Sequence, residues 1–156
     1  MSLQSVRAHL RQAAPDIAII ETEASSATVE EAASAHNVAP AQIAKTLSFS
    51  VKDDVFLLVA RGDARIDNKK AKAAFGGKVR MLPLEEVEAI TGHPVGGVCP
   101  FGLASPIRVY CDESLKAFDA VYPAAGARNA AVRISPERLV EITGADWVDV
   151  CGAPAA

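Results

Sequence analysis

The chain has 156 residues, 50% of them hydrophobic, with 16 Lys and Arg against 19 Asp and Glu for a formal charge of −3. That balance excludes a disordered tail, a polybasic nucleic-acid binder and an acidic solvating segment, and the length fits one domain, 1–156, with a sizeable core. The longest clear apolar run, Val55 to Ala60, is far shorter than the roughly 18 residues of a membrane span, and no charged-then-apolar leader pattern opens the chain. A soluble cytoplasmic protein is expected, with no membrane and no DNA partner.

Leu3 to Ala14 reads as a helix stopped by Pro15, and Ile17 to Ile20 as a short strand. Met1-Ser2-Leu3 is compatible with an expression remnant. Thr28 and Glu31 make a T-x-x-E capping box opening a second helix, with Val29, Ala32, Ala33 and His36 on one face. Lys45 to Val51 alternates: Leu47, Phe49 and Val51 point one way, Thr46, Ser48 and Ser50 the other. Asp53-Asp54 turns the chain into Val55 to Ala60, apolar on both faces and so a central buried strand; the two form a hairpin. Asp67 caps a helix over Asn68 to Phe75, ended by Gly76-Gly77. Val79 to Leu82 is a strand, and Pro83, Glu85 and Glu86 open a helix that Gly92 closes. Strands follow at Ile107 to Cys111, Phe118 to Tyr122 and Ala130 to Ile134. A helix runs from Ser135-Pro136-Glu137 to near Gly144, a last strand covers Trp147 to Val150, and Gly152 onwards frays. Strands and helices interleave without a strict βαβ rhythm, which predicts an α/β chain of the mixed α+β kind, its sheet flanked by helices.

Four features bear chemistry. By parity Lys45 shares the apolar face of Leu47, Phe49 and Val51. Either it is desolvated and held by a partner such as a carboxylate, a carbonyl or a ligand phosphate, or it snorkels to water from the strand end. Gly92 to Leu103 packs four glycines and two prolines into twelve residues. Such a loop either presents backbone N–H groups to a carbonyl or phosphate or is an ordinary structured loop. Within it Cys99 is a nucleophile or a small buried core residue. Arg65, Lys69, Lys70, Lys72, Lys78 and Arg80 form a local basic patch, either a nucleic-acid contact or a solvated face. Ala124 to Asn129, around Gly126, leaves room for a ligand or is a hairpin loop. The three cysteines, Cys99, Cys111 and Cys151, are odd in number and contain no C-x-x-C pair, so no disulfide framework is expected. His93, Cys99 and Cys111 match no zinc spacing, so no metal and no cofactor are expected.

Four segments occur together in one order: Ala44-Lys45-Thr46-Leu47, Arg65-Ile66-Asp67-Asn68-Lys69-Lys70, Thr91-Gly92 through Gly102, and Ala125-Gly126-Ala127-Arg128. In these the sequence, from about Thr28 to Val150, resembles the YbaK/ProX family of aminoacyl-tRNA deacylases, free-standing relatives of the editing domain of prolyl-tRNA synthetases. The resemblance implies a mixed β-sheet, partly closed like a barrel, with helices around it. It implies a hydrolase acting in trans on the ester of a mischarged tRNA, typically tRNA(Pro) carrying Cys or another small amino acid, with prolyl-tRNA synthetase as a further partner. Lys45 matches the family's important lysine, and Gly96-Gly97-Val98-Cys99-Pro100 its G-x-x-x-P loop. Lys45, Gly96 and Gly97 are therefore the catalytic candidates. Thr46, Val98, Cys99, Pro100, Phe101, Gly102, Gly126 and Arg128 are the substrate-binding ones. Lys69, Lys70, Lys72 and Lys78 are candidates for the acceptor stem. An activated ester needs positioning and electrostatic stabilisation more than a protein nucleophile. Competing readings are a non-catalytic module that binds a tRNA end or a nucleotide, and a hydrolase that uses Cys99. Cys99 where relatives often have Ser, and Thr46 where alanine-specific relatives have Asn, lean toward the YbaK side and leave Ser, Thr, Ala and 2-aminobutyrate open beside Cys.

Overall fold

The computed structural model describes residues 2–152. Five helices form where capping chemistry marks them. α1 (Ser2–Ala13) buries Val6 and Leu10. α2 (Val29–His36) opens with the reciprocal Thr28–Glu31 box and closes on Asn37 in the left-handed region. α3 (Asn68–Phe75) is capped by the Asp67 carboxylate, which accepts from the N–H groups of Lys69 and Lys70. α4 (Leu84–Thr91) ends on Gly92 at φ 80, and α5 (Pro136–Thr143) starts from a Ser135 cap.

Six strands make the main sheet. β2 (Ile43–Val51) and β3 (Asp54–Arg61) form the expected hairpin, with Val51 opposite Asp54 and Lys45 opposite Ala60. β3 lies in the middle and Phe56 to Ala60 are all buried. Beyond β3 come β6 (Arg108–Asp112) and β9 (Asp146–Val148), both added in parallel. On the other side of β2, two short strands share its outer edge. β5 (Val79–Met81) pairs with Phe49 to Val51, and β7 (Tyr122–Pro123) pairs with Ile43 and Ala44. The outer edge of β2 from Lys45 to Ser48 therefore carries no neighbouring strand.

The parity reading of β2 holds. One face meets a core with Leu57, Val59, Val109 and Cys111 beneath Val6 and Leu10 of α1 and Leu139 of α5. The other puts Phe49 and Val51 against Phe56, Leu58 and Ala71 of α3. Each such large side chain removed from water stabilises the fold by about 1.5–3 kcal/mol.

The barrel-like closure is not found. The sheet is open, its end strands β5 and β9 being three residues each and unpaired with one another. The remaining strands pair apart from it: β1 (Ile20–Glu21) with β8 (Ala130–Ala131), and β4 (Arg65–Ile66) with β10 (Cys151–Gly152). Closure needs a continuous staggered ladder from one edge to the other, and here the short segments that would extend the edges satisfy each other instead.

Three smaller expectations shift. The strand expected over Phe118 to Tyr122 shrinks to β7, because the Asp112 carboxylate accepts from Ser114 N–H and starts a 3-10 turn over Glu113–Ala117. The strand at Trp147 to Val150 stops early, because Val150 N–H donates to Asp112 Oδ1 at 2.8 Å. Gly152 is paired in β10 rather than frayed, and residues 153–156 lie outside the described region. Ser2 belongs to α1, and its hydroxyl donates to Gly126 O. Among the described residues no helix is long and apolar enough to cross a membrane.

Candidate active site

The uncovered edge of β2 opens onto a cavity of about 200 Å³. Its walls are mostly apolar: Val29 and Ala32 of α2, Leu82 and Val87 around the start of α4, Val98 of the glycine loop, and Ala130 and Ala131 of β8. Polar atoms enter chiefly from β2. Thr46 Oγ1 is buried and has no hydrogen-bond partner, a costly state for a hydroxyl unless a ligand or water meets it. Lys45 lies beside it on the opposite face of the strand and also lines the cavity. Its Nζ donates to Ala64 O at 2.5 Å. Burial pushes the ammonium below the usual lysine range, opposed in part by charges that include Asp63. The Ala64 carbonyl uses one of its three hydrogens. Of the two readings of Lys45, held by a partner or reaching to water, the bond to Ala64 O fits the first.

The glycine loop divides. Gly96 and Val98 line the cavity. Gly97 does not: its N–H donates to Pro94 O at 2.9 Å and its carbonyl accepts from Gly126 N–H at 3.0 Å. A Cβ there would lie 2.7 Å from the main-chain nitrogen of Ala127, so Gly97 serves close docking of two loops. Arg128 braces the same contact, its Nε donating to Val95 O at 3.1 Å.

Past Val98 the loop turns inward. Cys99 and Phe101 are fully buried, Pro100 is buried, and none of them, nor Gly102, lines the cavity. His93, also fully buried, donates from Nε2 to Phe101 O at 2.7 Å, and its Nδ1 meets the Ser2 hydroxyl. The Gly102 amide is taken by His9 Nδ1 at 2.9 Å and its carbonyl by the Ser5 hydroxyl. Burial pushes the Cys99 thiol up to about 12, the opposite of an activated nucleophile. The expected amide array over Gly96 to Gly102 thus reduces to Gly96 and Val98, because the amides of Gly97 and Gly102 are already committed.

The basic candidates lie away from the cavity walls. Lys69, Lys70 and Lys72 sit on α3, on the far side of the sheet from α1 and α5, and Lys70 Nζ is held by Asp149 Oδ1 and Cys151 O, each at 3.2 Å. Lys69, Lys72 and Lys78 are exposed. Sequence reasoning missed the rim. Met81, Leu84 and Val95 are exposed large apolar side chains, and all three border the cavity. No motif marks Met81 or Leu84, which the pairing of β5 with β2 brings there, and Val95 belongs to the glycine loop already singled out. It also missed Tyr122, which lines the cavity and stacks at 5.3 Å on His36. The described residues contain no group of three or more His, Cys, Asp or Glu placed to hold a metal ion.

Residues 23–142 match the aminoacyl-tRNA editing domain family. The chain belongs to that family. It is a hydrolase of aminoacyl-tRNA esters, of the YbaK/ProX kind that the four segments resemble. Among its relatives, YwhH of Bacillus subtilis, described as uncharacterized, is 52% identical over 97% of this chain and 98% of its own length. An Enterococcus faecalis protein, "Putative Cys-tRNA(Pro)/Cys-tRNA(Cys) deacylase EbsC", is 30% identical over 79% of this chain and 76% of its own. A crystal structure of "a putative trans-editing enzyme for prolyl tRNA synthetase" superposes with a TM-score of 0.89 at 33% identity, covering 97% of this chain and 98% of that one.

Proposed function

We propose that this editing domain acts in trans on mischarged tRNA(Pro), removing Cys or another small amino acid. The observation that carries the reading is the small, mostly apolar cavity with Lys45, Thr46 and Gly96 on its walls. A cavity of this size admits a small side chain, and apolar walls reject larger ones by volume. A synthetase that cannot separate near-isosteric amino acids in one pocket needs such a second sieve. Lys45 anchors phosphate or hydroxyl oxygens of the terminal nucleotide through the hydrogens Ala64 does not use. The main chain of Gly96 and of Val98 polarises the ester carbonyl, and Thr46 Oγ1 donates to an oxygen of the substrate. The names of the Enterococcus relative and of the superposed structure support the proline and cysteine assignment and a working link to prolyl-tRNA synthetase. Exposed Lys69, Lys72 and Lys78 steer the acceptor stem.

The test is deacylation of tRNA(Pro) charged separately with Cys, Ala, Ser, Thr and Pro. Selective loss of one or two mischarged species, with Pro-tRNA(Pro) spared, is expected. Binding without hydrolysis of any of them would sink the proposal in favour of a binding module.

A further inference from the structure

We infer that the gap in the outer edge of β2 is a main-chain clamp for an α-amino acyl group, with Thr46 O accepting from the substrate's α-ammonium and Thr46 N–H donating to its acyl carbonyl oxygen. The inference rests on the reading that the cavity receives the aminoacyl ester.

The geometry follows from the register. Val51 opposite Asp54 closes the hairpin. Alternation along an antiparallel ladder then turns the main-chain N–H and C=O of odd residues of β2 toward β3 and those of even residues outward. One outward contact agrees with that parity: Ser48 O accepts from Leu82 N–H at 3.0 Å. Ala44, the even residue at the other end, lies in the pairing with β7. Thr46 falls between the two covered stretches. Its outward N–H and C=O face the cavity that the residue lines, and no neighbouring strand meets them.

An unpaired N–H and C=O from one residue of a strand edge accept one extended residue, in the manner of β-augmentation. A partner residue must offer a donor on its nitrogen and an acceptor on its carbonyl, as an aminoacyl ester with a free α-ammonium does. An N-acylated residue keeps one N–H but, lying antiparallel to β2, places a bulky amide toward Ser48, whose carbonyl Leu82 N–H already holds. An α-hydroxy acyl ester offers an uncharged and weaker donor. The acyl carbonyl oxygen then has a donor from each wall: Thr46 N–H on one side and the main chain of Gly96 or Val98 on the other. The clamp is blind to the substrate's side chain, which leaves selection among amino acids to the apolar wall.

The experiment compares acceptor-stem minihelices carrying alanyl, N-acetylalanyl and lactyl esters, after correction for spontaneous hydrolysis. The expected result is a loss of about a hundredfold for the N-acetyl ester and about tenfold for the lactyl ester. Equal rates for all three would overturn the clamp while leaving the deacylase reading intact. If the enzyme hydrolyses no minihelix ester but does hydrolyse full-length mischarged tRNA(Pro), the series is repeated on the full tRNA with the same criterion. If it hydrolyses neither, the deacylase reading itself fails. Thr46→Val separates main chain from side chain. The clamp predicts a slower enzyme with the same amine-to-hydroxyl ratio, and a ratio that collapses to one in this variant would assign the ammonium to the hydroxyl and overturn the main-chain assignment.

Discussion

The two halves of the glycine loop meet opposite surroundings. Gly96 and Val98 stand at the cavity, and Gly97 between them docks on the loop around Gly126. Cys99 to Gly102 runs into the core, where His93, His9 and Ser5 take up its main-chain groups. The residues that look most reactive on paper, Cys99 in the second half and His93 bonded to its Phe101 carbonyl, are both fully buried. The first half has little but backbone to offer. The two halves differ in which backbone groups remain uncommitted.

That contrast can be broken or sharpened in five ways. Lys45→Ala should lower deacylation by a hundredfold or more while the melting temperature stays near wild type, since the lysine is only half-buried and its one protein partner is a carbonyl. Near-normal turnover would move the chemistry off the β2 side of the cavity. Gly97→Ala comes next: its Cβ meets main chain of Ala127, so the two loops must part, at a cost of about 1–3 kcal/mol. Thermal unfolding should show the loss and KM should rise; an unchanged melting temperature would mean the docking is not tight. Third, burial pushes His93 below the usual histidine range. Its contribution is therefore complete above about pH 6.5 and is lost as pH falls toward the lowered folded-state value. Urea titrations at pH 7.5 and pH 5 should show wild type losing more stability than His93→Gln, and parallel losses would exclude the histidine as the cause. Fourth, joint reversal of Lys69, Lys72 and Lys78 to Glu should weaken tRNA binding and flatten its dependence on log salt by roughly 0.7–0.9 per contact removed; an unaltered slope would place the acceptor stem elsewhere. Cys99→Ser should have the smallest effect, leaving turnover within about twofold, because a thiol at about 12 is no nucleophile. A dead variant would return the second half of the loop to the active site.

Helix boundaries were legible because they are local. Thr28, Asp67 and Ser135 cap where the sequence places caps, and Asn37, Gly76, Gly92 and Gly144 stop helices in the left-handed region. The β2–β3 hairpin was legible for a similar reason, its alternation being a property of adjacent residues. The openness of the sheet was not, since it depends on β1, β4, β8 and β10 finding each other across large separations in the chain. Within the site, Lys45 stood out as a charge on an apolar face, and Thr46 entered through the family resemblance. What could not be read was commitment. Nothing in the letters distinguishes the amide of Gly97, which Pro94 O holds, from the main chain of Gly96 one residue away. Likewise nothing in Met81 or Leu84 says that β5 stops beside a cavity.

The interruption between β7 and β5 bears also on the behaviour of this protein in a crowded solution. Exposed strand edges recruit other strands, and long ones seed aggregation. Here the bare stretch is only Lys45 to Ser48, and a strand already occupies the edge at each end. A peptide of any length would collide with one of those strands before it could lie down. The same two short pairings that frame the opening therefore act as stops, admitting a single residue and turning away a chain.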